Sequence, residues 1–217
     1  MKIEKLKTSK LFYGKWPYKV TCNIVHARSV VNGRGYYYGY GRRISQEEQD
    51  EIEKFQKAVK GFLKKDIKYR AEYNHFNIFC DDKVLLEQIS KKLKPWIQNI
   101  HGPQNEEELE YLRDNGRKKR LCDKIPFGKF EYRVYFKTNM PSTLKESFKN
   151  WMLKYDGKIQ CSVSTEKWLN EEHRYFQAPF CYVKDGATLT MIGLFLANHI
   201  KITEQFVLRE SINTPSE

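Results

Sequence analysis

Long apolar runs are missing from this chain. Its most apolar stretch, ATLTMIGLFLANHI at 187–200, falls short of the ~20 residues that a bilayer-spanning helix needs. That stretch predicts a buried helix and no membrane partner. The opening MKIEKLKTSK has no apolar core of signal-peptide length, which sets the expectation of a non-secreted protein. Cysteines are few and unsuited to stapling: Cys22, Cys80, Cys122, Cys161 and Cys181 are odd in number and contain no C-x-x-C pair. A disulfide framework is therefore not expected, and a reducing compartment is. The expected location is cytoplasmic, or the host cytoplasm if the protein is viral. Cys22 and His26 could open a zinc site, but nothing else in the chain completes it, and Cys22 reads as a core residue. No G-x-x-x-x-G-K-[ST] run occurs, and G-R-G-Y-Y-Y-G at 33–39 lacks the third glycine of a dinucleotide fingerprint. No cofactor is expected.

Acidic residues are outnumbered, 27 against 39 Lys and Arg, leaving a formal charge of +12. A field of that sign attracts polyanions, and nucleic acid is the expected partner. The apolar content of 40% is ample for a packed core in a chain of this length.

Periodicity places the elements. KWPYKVTCNIV at 15–25 reads as a strand. Ser45 and Glu48 form a capping box, and Ile52, Phe55, Val59, Phe62 and Leu63 recur at helical spacing, predicting a helix over 46–65. KYRAEYNHFNIFCDD reads as a hairpin, and Asp82 as the N-cap of a helix carrying Val84, Leu85, Ile89, Leu93 and Trp96. Residues 101–129 interrupt the pattern with HGPQ, an acidic helix begun at Asn105 and the basic run Arg117, Lys118, Lys119, Arg120. They read as a linker or surface excursion. Beyond them EYRVYFK alternates, a helix with Thr143 and Glu146 in capping-box spacing follows, then a strand at 158–164, a strand at PFCYVKD, the apolar helix and the strand KITEQFVL.

The second half is thus βαββαβ, and the first half nearly repeats that order. The expected fold class is α+β, with two tandem ferredoxin-like (βαββαβ) units bearing antiparallel sheets. The units are expected at 1–100 and 130–210, with a tail at 211–217. No residue-level repeat between the halves is apparent.

In such a unit the helices cover one sheet face and leave the other available, as in RNA-recognition modules that stack bases on strand aromatics. V134-Y135-F136-K137-T138-N139-M140 resembles the first-strand signature of those modules, and Phe180 and Tyr182 fall where their third-strand rings project. Ala178 and Pro179 stand where that family has a basic residue and glycine. The resemblance implies shared topology, not membership. The alternative is that Tyr135, Phe180 and Tyr182 are buried between the halves.

VVNGRGYYYGYGRRIS at 30–45 combines flexible glycines with rings and charge, the parts of a single-strand platform. The expected nucleic-acid contacts are Arg28, Arg34, Tyr36, Tyr37, Tyr38, Tyr40, Arg42, Arg43, Arg117, Lys118, Lys119, Arg120, Arg133 and Tyr135. The preferred reading is a non-catalytic protein that binds single-stranded or structured nucleic acid, RNA slightly ahead of DNA.

Two alternatives stay open. One is a structural or assembly protein, a viral capsid or nucleoprotein component, whose tyrosines join copies of a homo-oligomer; the Lys-, Asn-, Ile- and Tyr-rich composition hints at an AT-rich phage or viral genome. The other is a metal-independent ribonuclease using His26 as base. Asp81-Asp82 reads as helix capping rather than a two-metal site, and Glu171-Glu172-His173 as a solvated turn.

Overall fold

In the computed structural model, which describes residues 3–28, 45–63, 66–115, 118–171 and 178–213, the chain divides into a unit of residues 1–114 and a unit of residues 115–217. Both are α+β, each with one five-stranded sheet. The first sheet holds β1 (Glu4–Lys7), β2 (Tyr18–Asn23), β3 (Ile67–Glu72), β4 (His75–Cys80) and β5 (Ile97–Gly102) in the order β1-β5-β2-β4-β3. The second holds β6 (Lys119–Cys122), β7 (Tyr132–Phe136), β8 (Ile159–Cys161), β9 (Phe180–Val183) and β10 (Ile200–Leu208) in the order β6-β10-β7-β9-β8. Each sheet is antiparallel except at one edge, where β1 runs parallel to β5 and β6 parallel to β10. Seven α-helices are described: α1 (Gln46–Val59), α2 (Lys83–Lys92), α3 (Glu106–Asn115), α4 (Ser142–Met152), α5 (Val163–Leu169), α6 (Gly186–Leu196) and α7 (Glu210–Asn213). Among the described residues no helix is long and apolar enough to cross a membrane.

Local chemistry explains most boundaries. The Ser45 hydroxyl accepts from the Glu48 N–H while Glu48 accepts from the Ser45 N–H, satisfying two orphan donors at the start of α1. Its stripe Ile52, Phe55 and Val59 is buried. The helix stops at Val59 rather than running to 65, and the chain turns at Lys60-Gly61 to bring Phe62 into the core. The Asp82 carboxylate accepts from the Val84 N–H at 2.7 Å and caps α2, while Asp81 pairs with Arg113 at 3.2 Å. Both aspartates thus have structural partners.

Other expectations also need correction. The lead before β2 contains β1, and 101–129 carries the end of β5, α3 and β6, with Leu109, Leu112 and Leu121 buried. Thr143 does not cap α4: Pro141 takes the N-cap position, its fixed φ presetting the turn, and its carbonyl accepts from the Leu144 and Lys145 N–H groups. The strand at 158–164 is cut to β8 because the Ser162 hydroxyl accepts from the Thr165 N–H and starts α5, which buries Trp168 and Leu169. Finally, α6 is buried on one side only. Thr188, Ile192 and Leu196 face the core, whereas Met191, Leu194 and Phe195 are 42%, 76% and 37% exposed.

The apolar faces close two separate cores. One gathers Val20, Cys22, Phe55, Phe76, Ile78, Ile89 and Ile97; the other gathers Val134, Phe136, Phe148, Trp168, Cys181, Val183 and Ile192. The units also repeat one another in detail. Each carries a bulge where its last strand meets its second, at Gln98 of β5 opposite Thr21-Cys22 and at Lys201 of β10 opposite Tyr135-Phe136. An aspartate, Asp82 or Asp185, caps the helix that follows the fourth strand. A 3-10 turn, Lys94–Trp96 or Ala197–His199, then leads into the last strand.

Candidate functional site

Strand alternation sends every second side chain away from these cores, onto an outer sheet face. On the second sheet that face holds Arg133 and Tyr135 of β7, the neighbouring Phe180 and Tyr182 of β9, and Phe206 of β10. The Arg133 guanidinium is half-buried at its centre. It donates to the Tyr135 hydroxyl at 3.0 Å and the Tyr182 hydroxyl at 2.9 Å, and its carbon lies 4.9 Å from the Phe180 ring centroid, 5.0 Å from Tyr182 and 5.2 Å from Phe206. Glu204 stands opposite Arg133 in the register but gives its carboxylate to Arg120 at 3.2 Å. Among the described residues Arg133 therefore has no carboxylate partner, and its buried Nε–H has no acceptor. An unneutralised guanidinium braced by rings can take a phosphate or a stacked base.

The first sheet's outer face centres on Lys19 of β2, with Phe79 of β4 and His101 of β5 on either side in the register. The Lys19 ammonium lies 5.5 Å from the centroid of Phe12. Lys68 of β3 lies 4.4 Å over Tyr13 and 5.8 Å over Trp16, and Arg70 donates to the Tyr13 hydroxyl. Burial, with Lys19 adding to it, pushes the His101 imidazole down to about 4. The unfolded chain, with an ordinary imidazole, takes up that proton first. Stability is thus expected to fall as pH drops from about 6.5 through about 4, and His101→Gln to remove that part of the decline. Urea midpoints of both proteins across that window check this; identical pH profiles would refute it.

Both outer faces are overlaid by the same turn. Leu11-Phe12-Tyr13-Gly14-Lys15-Trp16 precedes β2 and Ile125-Pro126-Phe127-Gly128-Lys129-Phe130 precedes β7. In each, the glycine N–H bonds the first carbonyl, and the next two N–H groups bond the second. Tyr13 and Phe127 have φ of 54° and 53°, each followed by a glycine at 70° or 71°. A ring-bearing residue in that region costs about 1–3 kcal/mol, a strain seen most often at ligand sites. The two rings are nonetheless 50% and 65% exposed. Tyr13 meets Phe79 edge-on at 5.0 Å, and Phe127 meets Tyr182 at 5.5 Å and 73°. The following lysines cover the next ring, Lys15 at 5.1 Å from Trp16 and Lys129 at 5.0 Å from Phe130.

The sequence carries this repeat after all, as Y-G-K-W-P-Y-K-V at 13–20 and F-G-K-F-E-Y-R-V at 127–134. It is the signal that singles out Tyr13, Trp16, Lys19 and Phe127. Of the expected contacts, Arg133 and Tyr135 meet in one cluster. Arg28 is exposed beside Tyr73, Lys118 is exposed, Lys119 is half-buried on β6, and Arg120 is engaged with Glu204. Arg34, Tyr36, Tyr37, Tyr38, Tyr40, Arg42, Arg43 and Arg117 lie outside the described residues. His26 lies in a turn after β2 with φ of 54°, its N–H directed at the Asn74 side chain. Cys22 is a core residue whose thiol burial pushes up to about 12, and among the described residues no three His, Cys, Asp or Glu side chains gather as a metal would need. Glu171 accepts from Ser142 and Lys145; Glu172 and His173 lie outside the described residues. No protein-family model, no curated protein and no solved structure matches this chain.

Proposed function

We propose that this is a non-catalytic nucleic-acid-binding protein that takes single-stranded or structured nucleic acid, RNA ahead of DNA, on the outer face of its second sheet and along the Tyr/Gly/Arg stretch at 30–45. The observation that carries the reading is Arg133, a half-buried guanidinium held between tyrosine hydroxyls and aromatic rings, which no carboxylate pairs with among the described residues, the adjacent Glu204 being given to Arg120. Rings supply sequence-tolerant stacking, the cation supplies phosphate attraction, and the +12 charge supplies the long-range field. Each unit is a ferredoxin-like βαββαβ with one added parallel edge strand, a reading supported by the antiparallel orders β5-β2-β4-β3 and β10-β7-β9-β8. A cytoplasmic location accords with five free cysteines.

The second reading, an assembly protein that forms homo-oligomers, is favoured by the exposed Met191, Leu194 and Phe195 on α6. Titration with single-stranded RNA and DNA at several salt concentrations separates the two. Changing Tyr36, Tyr37, Tyr38 and Tyr40 together to Ala should weaken binding and leave the salt slope in place, because rings release no counterions. Changing Arg34, Arg42 and Arg43 to Gln should flatten the slope of log affinity against log salt by about 0.7 for each phosphate no longer neutralised. Variants that stay folded, bind like the parent and elute smaller in size exclusion would establish the tyrosines as subunit contacts instead.

A further inference from the structure

We infer that the first unit carries a second nucleic-acid site, built on its outer sheet face from Tyr13, Trp16, Lys19 and Lys68 with the buried Phe79 ring beneath them, and directed more at phosphate than at base. This rests on the reading of the second sheet above and extends it to a face where none of the contacts expected from the sequence lies.

The two faces correspond position by position. Tyr13 answers to Phe127, the strained and exposed ring over the sheet. Lys19 answers to Arg133, the cation at the second position of the sheet's central strand, and Phe79 to Tyr182, the ring beside that cation and under the overlying one. A turn that retains one hydrogen-bonding pattern, one left-handed aromatic-glycine pair and one lysine-over-ring contact in two units retains more than folding demands. Leu11 and Ile125 anchor the turns, and a glycine at Tyr13 or Phe127 would adopt the backbone without strain. What both units keep is an exposed ring held against the strand ring that flanks the central cation.

The differences set the chemistry. Where the second sheet has Tyr135 beside Phe180, the first has Thr21 bonded to Asn77 at 2.9 Å, a polar pair with no ring to stack on. Where the second has Gln160 opposite Tyr182, the first has Lys68 opposite Phe79. Among the described residues Lys68 forms no ion pair, so its charge is available. The first face thus gives up one pair of strand rings and gains a cation, and with Phe79 buried it leaves base contact to Tyr13 and Trp16.

Trp16 is the reporter. The full chain labelled with 15N at tryptophan is titrated with a short oligouridylate, the Trp16 indole signal being identified by Trp16→Phe. The signal is expected to move, and to move also in Arg133→Gln. Replacing Lys19 and Lys68 by Gln should abolish that movement and flatten the salt slope of the parent by about 1.4, the equivalent of two single-strand phosphates. Lys68→Gln alone, a change on an exposed edge strand, should give about half of that flattening. A Trp16 signal that stays still while the oligouridylate binds in an Arg133-dependent manner would overturn the second site and leave the first intact. An oligouridylate that fails to bind the parent even at low salt would overturn both.

Discussion

Phe136→Ala should lower the melting temperature of the second unit by about 15–30 °C. The side chain is fully buried, meets Phe148 edge-on at 5.4 Å and stacks over Trp168 at 6.0 Å and 9°. Truncating a ring in such a place removes its transfer energy and leaves a cavity that neighbouring rings fill poorly, about 3–5 kcal/mol in all. A unit of this size holds on the order of 5–15 kcal/mol, so the loss is a large share of it. Leu153→Ala, at a side chain 79% exposed, should change stability by no more than about 0.5 kcal/mol. Calorimetry on both variants checks the pair. A Phe136→Ala melt close to the parent's would mean that the strand-helix packing assigned to this unit is wrong.

Arg133→Gln is expected to weaken single-strand RNA binding by about ten- to a hundredfold at fixed salt, as for the removal of one stacked, charged partner. Arg133→Lys distinguishes charge from shape. An ammonium keeps the charge, and with it the salt slope, but cannot bond Tyr135 and Tyr182 in a planar fork while lying against Phe180. Most of the affinity should therefore disappear in the lysine variant too. Fluorescence anisotropy with labelled RNA, alongside circular dichroism to verify folding, measures both. Parent-like affinity in Arg133→Gln would remove the second sheet's outer face from the binding surface.

What the sequence disclosed, it disclosed through local chemistry. The Ser45–Glu48 box, the Asp82 cap and the stripe Ile52, Phe55, Val59 all act within a few residues, and α1 and α2 follow from them. The alternation of EYRVYFK, a period of two, is enough to separate Arg133 and Tyr135 from Val134 and Phe136. Strands β1 and β6 are not legible because their pairing is non-local: four residues each, joined in parallel to partners far along the chain. Helix α5 is hidden by the alternation of Ile159, Cys161 and Val163, which mimics strand until Ser162 caps it. The repeat is masked because Tyr13 answers to Phe127, Trp16 to Phe130 and Lys19 to Arg133, exchanges that preserve ring and charge but leave only Gly, Lys, Tyr and Val identical over eight positions. Lys19 itself sits inside KWPYKVTC, where a strand reading absorbs it as an ordinary exposed position.

The parallel edge strands also fix a timetable for folding. Since β1 pairs with β5 and β6 with β10, each sheet has its first strand in hand long before that strand's partner is made. The first sheet is complete once Gly102 has emerged, and β1 then occupies the edge of β5 before β6 has emerged. The strand with the corresponding place in the second unit thus arrives when that place in the wrong sheet is already filled. It waits for β10 for several seconds at ribosomal rates of about 5–20 residues per second. Refolding from denaturant abolishes this precedence, and β1 and β6 then compete for both edges at once. The protein should refold more slowly, and with more aggregation, than its synthesis in order would suggest.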